Sequence, residues 1–183
     1  MLEAQNKEEK RNIFVDNDYL FDEVIALQVR RALELVAFAS LAANKDAYQK
    51  VHRKFSDHHS AKGILKELNI IHPSFYPRPF RIVKKNEDLV QAQEIDSGYL
   101  TQEEFEYLYI ACCSIVHVWN PFKEQEKVVY LKHPIPDWIQ KIENLVRWHT
   151  VNLLGYQTIW IIDFGDYDSD LVHAFTAEPD VEV

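Results

Sequence analysis

Tyr109-Ile-Ala-Cys-Cys-Ser-Ile-Val-His117-Val-Trp-Asn120-Pro121-Phe122 is an apolar helical run that carries a histidine just before an Asn-Pro break. Its start lies in Leu100-Thr-Gln-Glu-Glu-Phe105, where Thr101 and Glu104 fit a capping box and Leu100 and Phe105 fit the hydrophobic staple around it. The expected helix therefore begins at about Gln102, with Phe105, Leu108 or Tyr109, Cys112 and Val116 on its core stripe. It should stop or kink near Asn120, because Pro121 pushes the residue before it out of helical geometry. His117 then falls in the last turn, where the negative end of the helix dipole raises the affinity for its proton. A histidine held in this way can titrate near neutral pH or bind a partner.

Upstream, Ile25, Val29, Leu33, Val36 and Ala39 recur at three- and four-residue steps between about Asp18 and Ala43. The second half of that run is apolar on nearly every side, which predicts a central, mostly buried helix. A second helix is expected from about Asp46 to Leu68, capped by Asn44 or Asp46, with Tyr48, Val51, Phe55, Leu65 and Leu68 on one stripe and Gly63 as a bend. Residues 70–81 carry three prolines and three aromatics, so they read as an extended strap whose aromatics close the core. Lys84 to Gly98 is charged and weakly patterned, as a surface connection would be.

Downstream, Pro136-Asp-Trp138 opens a fourth helix with Ile142, Leu145, His149 and Leu153 on its apolar face and Gly155 as its stop. Tyr156 to Phe164 and Leu171 to Ala177 are β-rich runs separated by an acidic turn, which predicts one antiparallel hairpin. A lone hairpin is marginal in water, so it must pack on the helices or pair with another subunit. The expected architecture is a mainly α, up-and-down bundle of four or more helices with a C-terminal β-hairpin. Residues 1–17 form a polar N-terminal segment, 18–155 the bundle with its strap, and 156–183 the hairpin and acidic tail.

The chain has 183 residues, 47% of them apolar, enough for one well-buried core. A formal charge of -9 argues against a broad electrostatic grip on nucleic acid, although basic residues cluster at Arg30-Arg31, Lys50 to Lys54 and Arg78 to Lys85. Cys112 and Cys113 are the only cysteines. On a helix their side chains point about 100° apart, which does not suit a mutual disulfide and fits a reducing compartment. No signal sequence or membrane span is read, since the longest apolar run falls short of the roughly 20 residues a bilayer requires. A cytoplasmic location is expected.

The cap at Leu100-Thr-Gln-Glu-Glu, the frame Tyr109…Cys112…His117…Asn120-Pro-Phe, the strap Pro73-Ser-Phe-Tyr-Pro-Arg-Pro and the terminal hairpin together resemble HEPN-like proteins of the bacterial abortive-infection type. The resemblance covers most of the chain in order. It implies a helical bundle, often dimeric, whose active members cleave RNA without a metal by means of a histidine and an arginine. The histidine moves the proton of the 2′-hydroxyl or of the leaving oxygen, and the arginine neutralises charge on the phosphorane. His117 occupies the histidine position. Ile110, Ala111 and Cys112 stand where the pattern would place the arginine, so a guanidinium or ammonium would have to come from elsewhere, such as Arg78, Arg81 or Lys123.

Other constellations read less sharply. Arg53 precedes His58 and His59 at a similar spacing, on the expected second helix. His52, Asp57, His58 and His59 lie close in sequence without a metal-binding pattern on one turn. Asp166-Tyr-Asp168-Ser-Asp170 opens like a calcium loop but has Leu171 at the glycine position and Ala177 in place of the closing glutamate. His149 and Cys112 read as core residues. No glycine-rich phosphate loop or dinucleotide fingerprint occurs.

These readings lead to an RNA-engaging, HEPN-like protein of a defence or toxin-antitoxin setting, with an arginine-less ribonuclease motif. Its site would be His117 for catalysis, with Asn120, Arg78, Arg81 and Tyr109 for binding. If active, it would be a metal-independent endoribonuclease, but the missing arginine weighs against catalysis. The alternative is a non-catalytic dimeric interaction module, whose Asn-Pro-Phe corner and hairpin build a protein interface. A metal-binding sensor is third. No metal, no other cofactor, no nucleotide and no membrane are expected; a second copy of the chain is, with RNA or a protein as further partner.

Overall fold

The computed structural model describes residues 2–4, 18–46, 49, 60–86, 89–117, 122, 129–165 and 171–177. In chain order the elements are β1 (Leu2–Ala4), α1 (Asp18–Ala43), α2 (Ala61–Ile71), β2 (Arg78–Asn86), β3 (Leu89–Glu94), α3 (Gln102–Val116), β4 (Val129–Leu131), α4 (Ile135–Val146), β5 (Trp148–Asn152), β6 (Ile159–Asp163) and β7 (His173–Ala177). They fall into two compact units, Met1–Val36 with Thr101–Ile139, and Ala37–Leu100 with Gln140–Val183.

The first unit contains most of α1, all of α3, the short parallel pair β1 and β4, and the start of α4. The capping box at the head of α3 is formed as its sequence predicts. Thr101 Oγ1 accepts from the Glu104 N–H at 3.2 Å, and Glu104 Oε2 accepts from the Thr101 N–H at 3.2 Å. Phe105, Leu108, Tyr109, Ala111, Cys112 and Ile115 are buried, so the stripe ends on Ile115 rather than Val116. The helix ends at Val116, ahead of the expected stop. His117 is its C-cap, in extended geometry, with its N–H on the Cys113 carbonyl at 3.0 Å. Tyr107 ties β4 to this helix: its hydroxyl donates to the Tyr130 carbonyl at 2.6 Å and accepts from the Lys132 N–H at 3.1 Å.

The second unit overturns the expected fold class. Five antiparallel strands form one sheet in the order β3-β2-β5-β6-β7, so the chain is a mixed α and β protein and not a mainly helical bundle with a small hairpin. The expected hairpin is present as β6 paired with β7, but β5 continues it on the other side. The expected fourth helix stops at Val146; Trp148 to Asn152 are a strand. Periodicity at Ile142, Leu145 and His149 suggested a continuing helix, whereas Trp148, Thr150 and Val151 favour a pleated strand once neighbours on both sides supply backbone partners. Gly155, expected as a helix stop, holds φ of 84° in the turn joining β5 to β6.

Lys84 to Gly98 is not a plain connection either. β2 and β3 form a hairpin with a register shift between Lys84 and Asn86. The strap keeps its role only as far as Pro77. Phe75 is fully buried, and the Tyr76 hydroxyl donates to the Leu100 carbonyl at 2.9 Å. From Arg78 onward the segment is strand, where Pro79, with no N–H to donate, lies in register with His149. Gly63 lies in the first turn of α2 and donates its N–H to the Ser60 cap at 3.1 Å, so it does not mark a bend. The expected start of that helix, from Asp46 through Tyr48, Val51 and Phe55, lies largely outside the described residues. So do Arg53, the cluster His52, Asp57, His58 and His59, Asn120, Pro121, Lys123 and Asp166 to Asp170.

Candidate functional site

α3 delivers Tyr109, Cys113 and His117 at four-residue steps, which on a helix places them one above another. α1 lays an ion pair against Tyr109. Arg30 Nε donates to Glu34 Oε1 at 2.9 Å, and the Tyr109 hydroxyl donates to the same carboxylate oxygen at 3.3 Å. The Arg30 guanidinium carbon lies 5.8 Å from the Tyr109 ring centroid. Arg30 also interacts electrostatically with Cys113. The hydrogen bond that Arg30 donates to Glu34 raises the Arg30 pKa above its ordinary value, so the guanidinium is charged throughout the physiological range. Arg30 was legible in the sequence only as part of the Arg30-Arg31 basic cluster. Its signal was the Arg30, Glu34 spacing of four residues, which suits an ion pair on one helix face.

Of the predicted binding residues, Tyr109 belongs to the first compact unit and Arg78 and Arg81 to the second. Tyr109 is buried and serves the α1 and α3 core through its ring, which stacks near Phe105 at 6.4 Å between centroids. Arg78 and Arg81 are exposed and belong to the other compact unit. Three positions apart on β2, they point to opposite faces of the sheet. Arg81 is held by Gln93 across the hairpin: Nε and Nη2 donate to Gln93 Oε1 at 3.1 and 2.9 Å. Phe122, beyond the Asn-Pro pair, is 93% exposed.

Two titratable groups are set by burial. The Cys112 thiol is pushed up to about 12, first by desolvation and then by its neighbour Cys113, so it stays protonated and inert at neutral pH. His149 is buried on β5, where its ring stacks near Phe164 at 6.1 Å and Nδ1 lies 2.8 Å from the Val146 carbonyl. A carbonyl only accepts, so Nδ1 carries the hydrogen. Burial lowers the His149 pKa, and the Val146 carbonyl partly opposes that shift. His149 is therefore a core residue, as its sequence context suggested, though on a strand.

α1 has a second feature. Ala26, Val29, Leu33, Ala37 and Leu41 are buried and share one side of the helix. On the opposite side Phe21 is 65% exposed, Val24 54%, Leu35 69% and Phe38 44%. The intervening Gln28 and Arg31 are exposed as well. Both phenylalanines of this helix therefore face outward. The C-terminal hairpin shows a similar surplus, with Leu171, Val172 and Phe175 exposed on and just before β7.

Among the described residues no group of three or more His, Cys, Asp or Glu side chains is placed to hold a metal ion. No described helix is long and apolar enough to cross a membrane. No protein-family model, curated protein or solved structure matches the chain.

Proposed function

We propose that this protein works by assembly: it is an interaction module whose outward apolar faces bury against a protein partner. One observation carries the reading, the run of large apolar side chains on the outer face of α1. Isolated exposed leucines are ordinary on protein surfaces, but two pairs of large apolar side chains on one helix face, Phe21 with Val24 and Leu35 with Phe38 on either side of Gln28 and Arg31, suit an interaction site. β7 is the last strand of its sheet, with Phe175 and the preceding Leu171 and Val172 exposed, which adds to the argument, since an edge strand offers backbone groups for pairing. Sedimentation velocity of the purified chain over a hundredfold concentration range tests the proposal. It predicts reversible association, and a monomer at every concentration contradicts it.

A second reading, RNA engagement in the HEPN-like manner, is favoured by one specific feature. Arg30 lies against Tyr109 and interacts electrostatically with Cys113, one helical turn before His117. In this reading His117 moves the proton of a ribose hydroxyl, and Arg30, released from Glu34, neutralises the phosphate. It predicts cutting of single-stranded RNA in EDTA, lost in both His117→Ala and Arg30→Ala with an unchanged circular-dichroism spectrum. Intact RNA at high protein concentration removes it.

A further inference from the structure

The outer face of α1 has a spacing that its exposure alone does not convey. Phe21, Val24, Gln28, Arg31, Leu35 and Phe38 are separated by alternating steps of three and four residues, the seam of a two-helix coiled coil. Every one of these positions is exposed. The buried positions Ala26 and Leu33 fall on the opposite side of the same helix, so the seam and the core face use different surfaces.

The order of residues along the seam is palindromic in character. Read in either direction it runs apolar, apolar, polar, polar, apolar, apolar. Set antiparallel about a twofold axis midway between Gln28 and Arg31, two copies place Phe21 opposite Phe38 of the second copy, Val24 opposite Leu35, and Gln28 opposite Arg31. Each apolar side chain then meets an apolar one. Each guanidinium meets a neutral amide oxygen that accepts its N–H, a charge-assisted bond.

Charge decides the direction. A parallel pairing of the same stripe stacks Arg31 on Arg31 and leaves two like charges facing each other in a partly desolvated seam, which is unfavourable. The nearest acid on the same helix, Glu34, is already engaged by Arg30 and Tyr109. Beside the seam, Ala32 is half-buried and Ala39 exposed; both are small, so two helices can approach at the roughly 8–10 Å axis separation of close packing. Over the seam, α1 spans about 26 Å at ~1.5 Å per residue.

We infer that α1 forms an antiparallel, twofold α1–α1 seam with a second copy of this chain, centred between Gln28 and Arg31. The inference rests on the assembly reading and names its partner and register. A closed twofold contact of this kind uses one patch on both copies and stops at a dimer.

Cysteine pairing tests the register. The full-length double variant Val24→Cys/Leu35→Cys is oxidised mildly, beside each single variant and the unsubstituted chain. Peptide mapping then assigns the bond. Positions 24 and 35 of one helix lie about 16 Å apart, too far for a bond within a chain. The expected result is a covalent dimer joined between positions 24 and 35 in the double variant, and no self-bridged dimer in either single variant. Self-bridging of Val24→Cys alone indicates a parallel seam and overturns the inference.

A dimeric mass with no bond at these positions also overturns it, and leaves the assembly reading standing on another face. A monomeric unsubstituted chain removes both. As an independent readout, Leu35→Glu weakens dimerisation at least ~30-fold, the effect of losing an interface hot spot, with the circular-dichroism spectrum unchanged. Unchanged association of that variant contradicts the seam.

Discussion

The two long sides of α1 face different environments and carry different side chains. The inner side is built of Ala26, Val29, Leu33, Ala37 and Leu41, which are buried within one chain. The outer side carries Phe21, Val24, Leu35 and Phe38, larger groups that the single chain leaves in water. Core volume alone would place the phenylalanines inside. In the proposed dimer the difference gives this helix two contacts, one that exists at any dilution and one that needs a second copy.

Protein concentration separates the two sides, because binding to the native state alone adds stability by mass action. The largest expected effect is on the inner side. Leu33→Ala leaves a cavity in a fully buried site and costs about 2–5 kcal/mol, by equal amounts in dilute and concentrated protein; a concentration-dependent loss would blur the distinction between the sides. Next comes the head of α3, whose capping box satisfies two helix-end donors within one chain. Thr101→Ala is expected to cost about 1 kcal/mol in urea denaturation, again independent of concentration, and no change would mean that the box is not formed in solution.

His149 contributes a smaller, pH-dependent effect. Its folded pKa lies below the ordinary value of 6.5 because burial disfavours the charged ring. The unfolded chain therefore binds its proton first on acidification. Stability from the neutral buried ring is fully present above the unfolded pKa and is lost as pH falls through the folded one. The midpoint of unfolding should decline as pH drops below about 6.5. His149→Asn, whose amide can still donate to the Val146 carbonyl, should flatten that decline, and an equally steep decline in the variant would assign it to other groups. The smallest effect is on the outer side. Leu35→Ala changes the stability of dilute monomer by no more than about 0.5 kcal/mol, as surface substitutions generally do, while in concentrated protein it removes stability that the wild type gains.

The sequence was most legible where structure depends on neighbours along the chain. Thr101 and Glu104 announced the start of α3 because both donors and both acceptors lie within four residues. α1 was legible as a helix, and Val29 and Leu33 as its core. Beyond Leu33 the expected stripe followed Val36 and Ala39, whereas the buried positions are Ala37, Ser40 and Leu41. A helix with apolar residues on two sides cannot announce which side is the core.

The sheet was the least legible part. Arg81 to Lys84 on β2 and Gln91 to Glu94 on β3 are exposed on both faces of their hairpin, so the alternation that marks a half-buried strand is missing. For the candidate site, His117 was legible at a helix end, whereas the contact of Arg30 with Tyr109 was not, because only folding brings α1 against Tyr109. Arg78 and Arg81 were grouped by sequence and separated by the two-residue period of a strand.

Equilibrium unfolding of the wild-type chain, repeated at concentrations a hundredfold apart, tests the two-sided helix most directly. The account predicts a midpoint that rises with concentration, and a Leu35→Glu variant whose midpoint stays fixed at the dilute wild-type value. Superimposable wild-type curves at all concentrations would contradict it, since the outer side of α1 would then have no partner to meet.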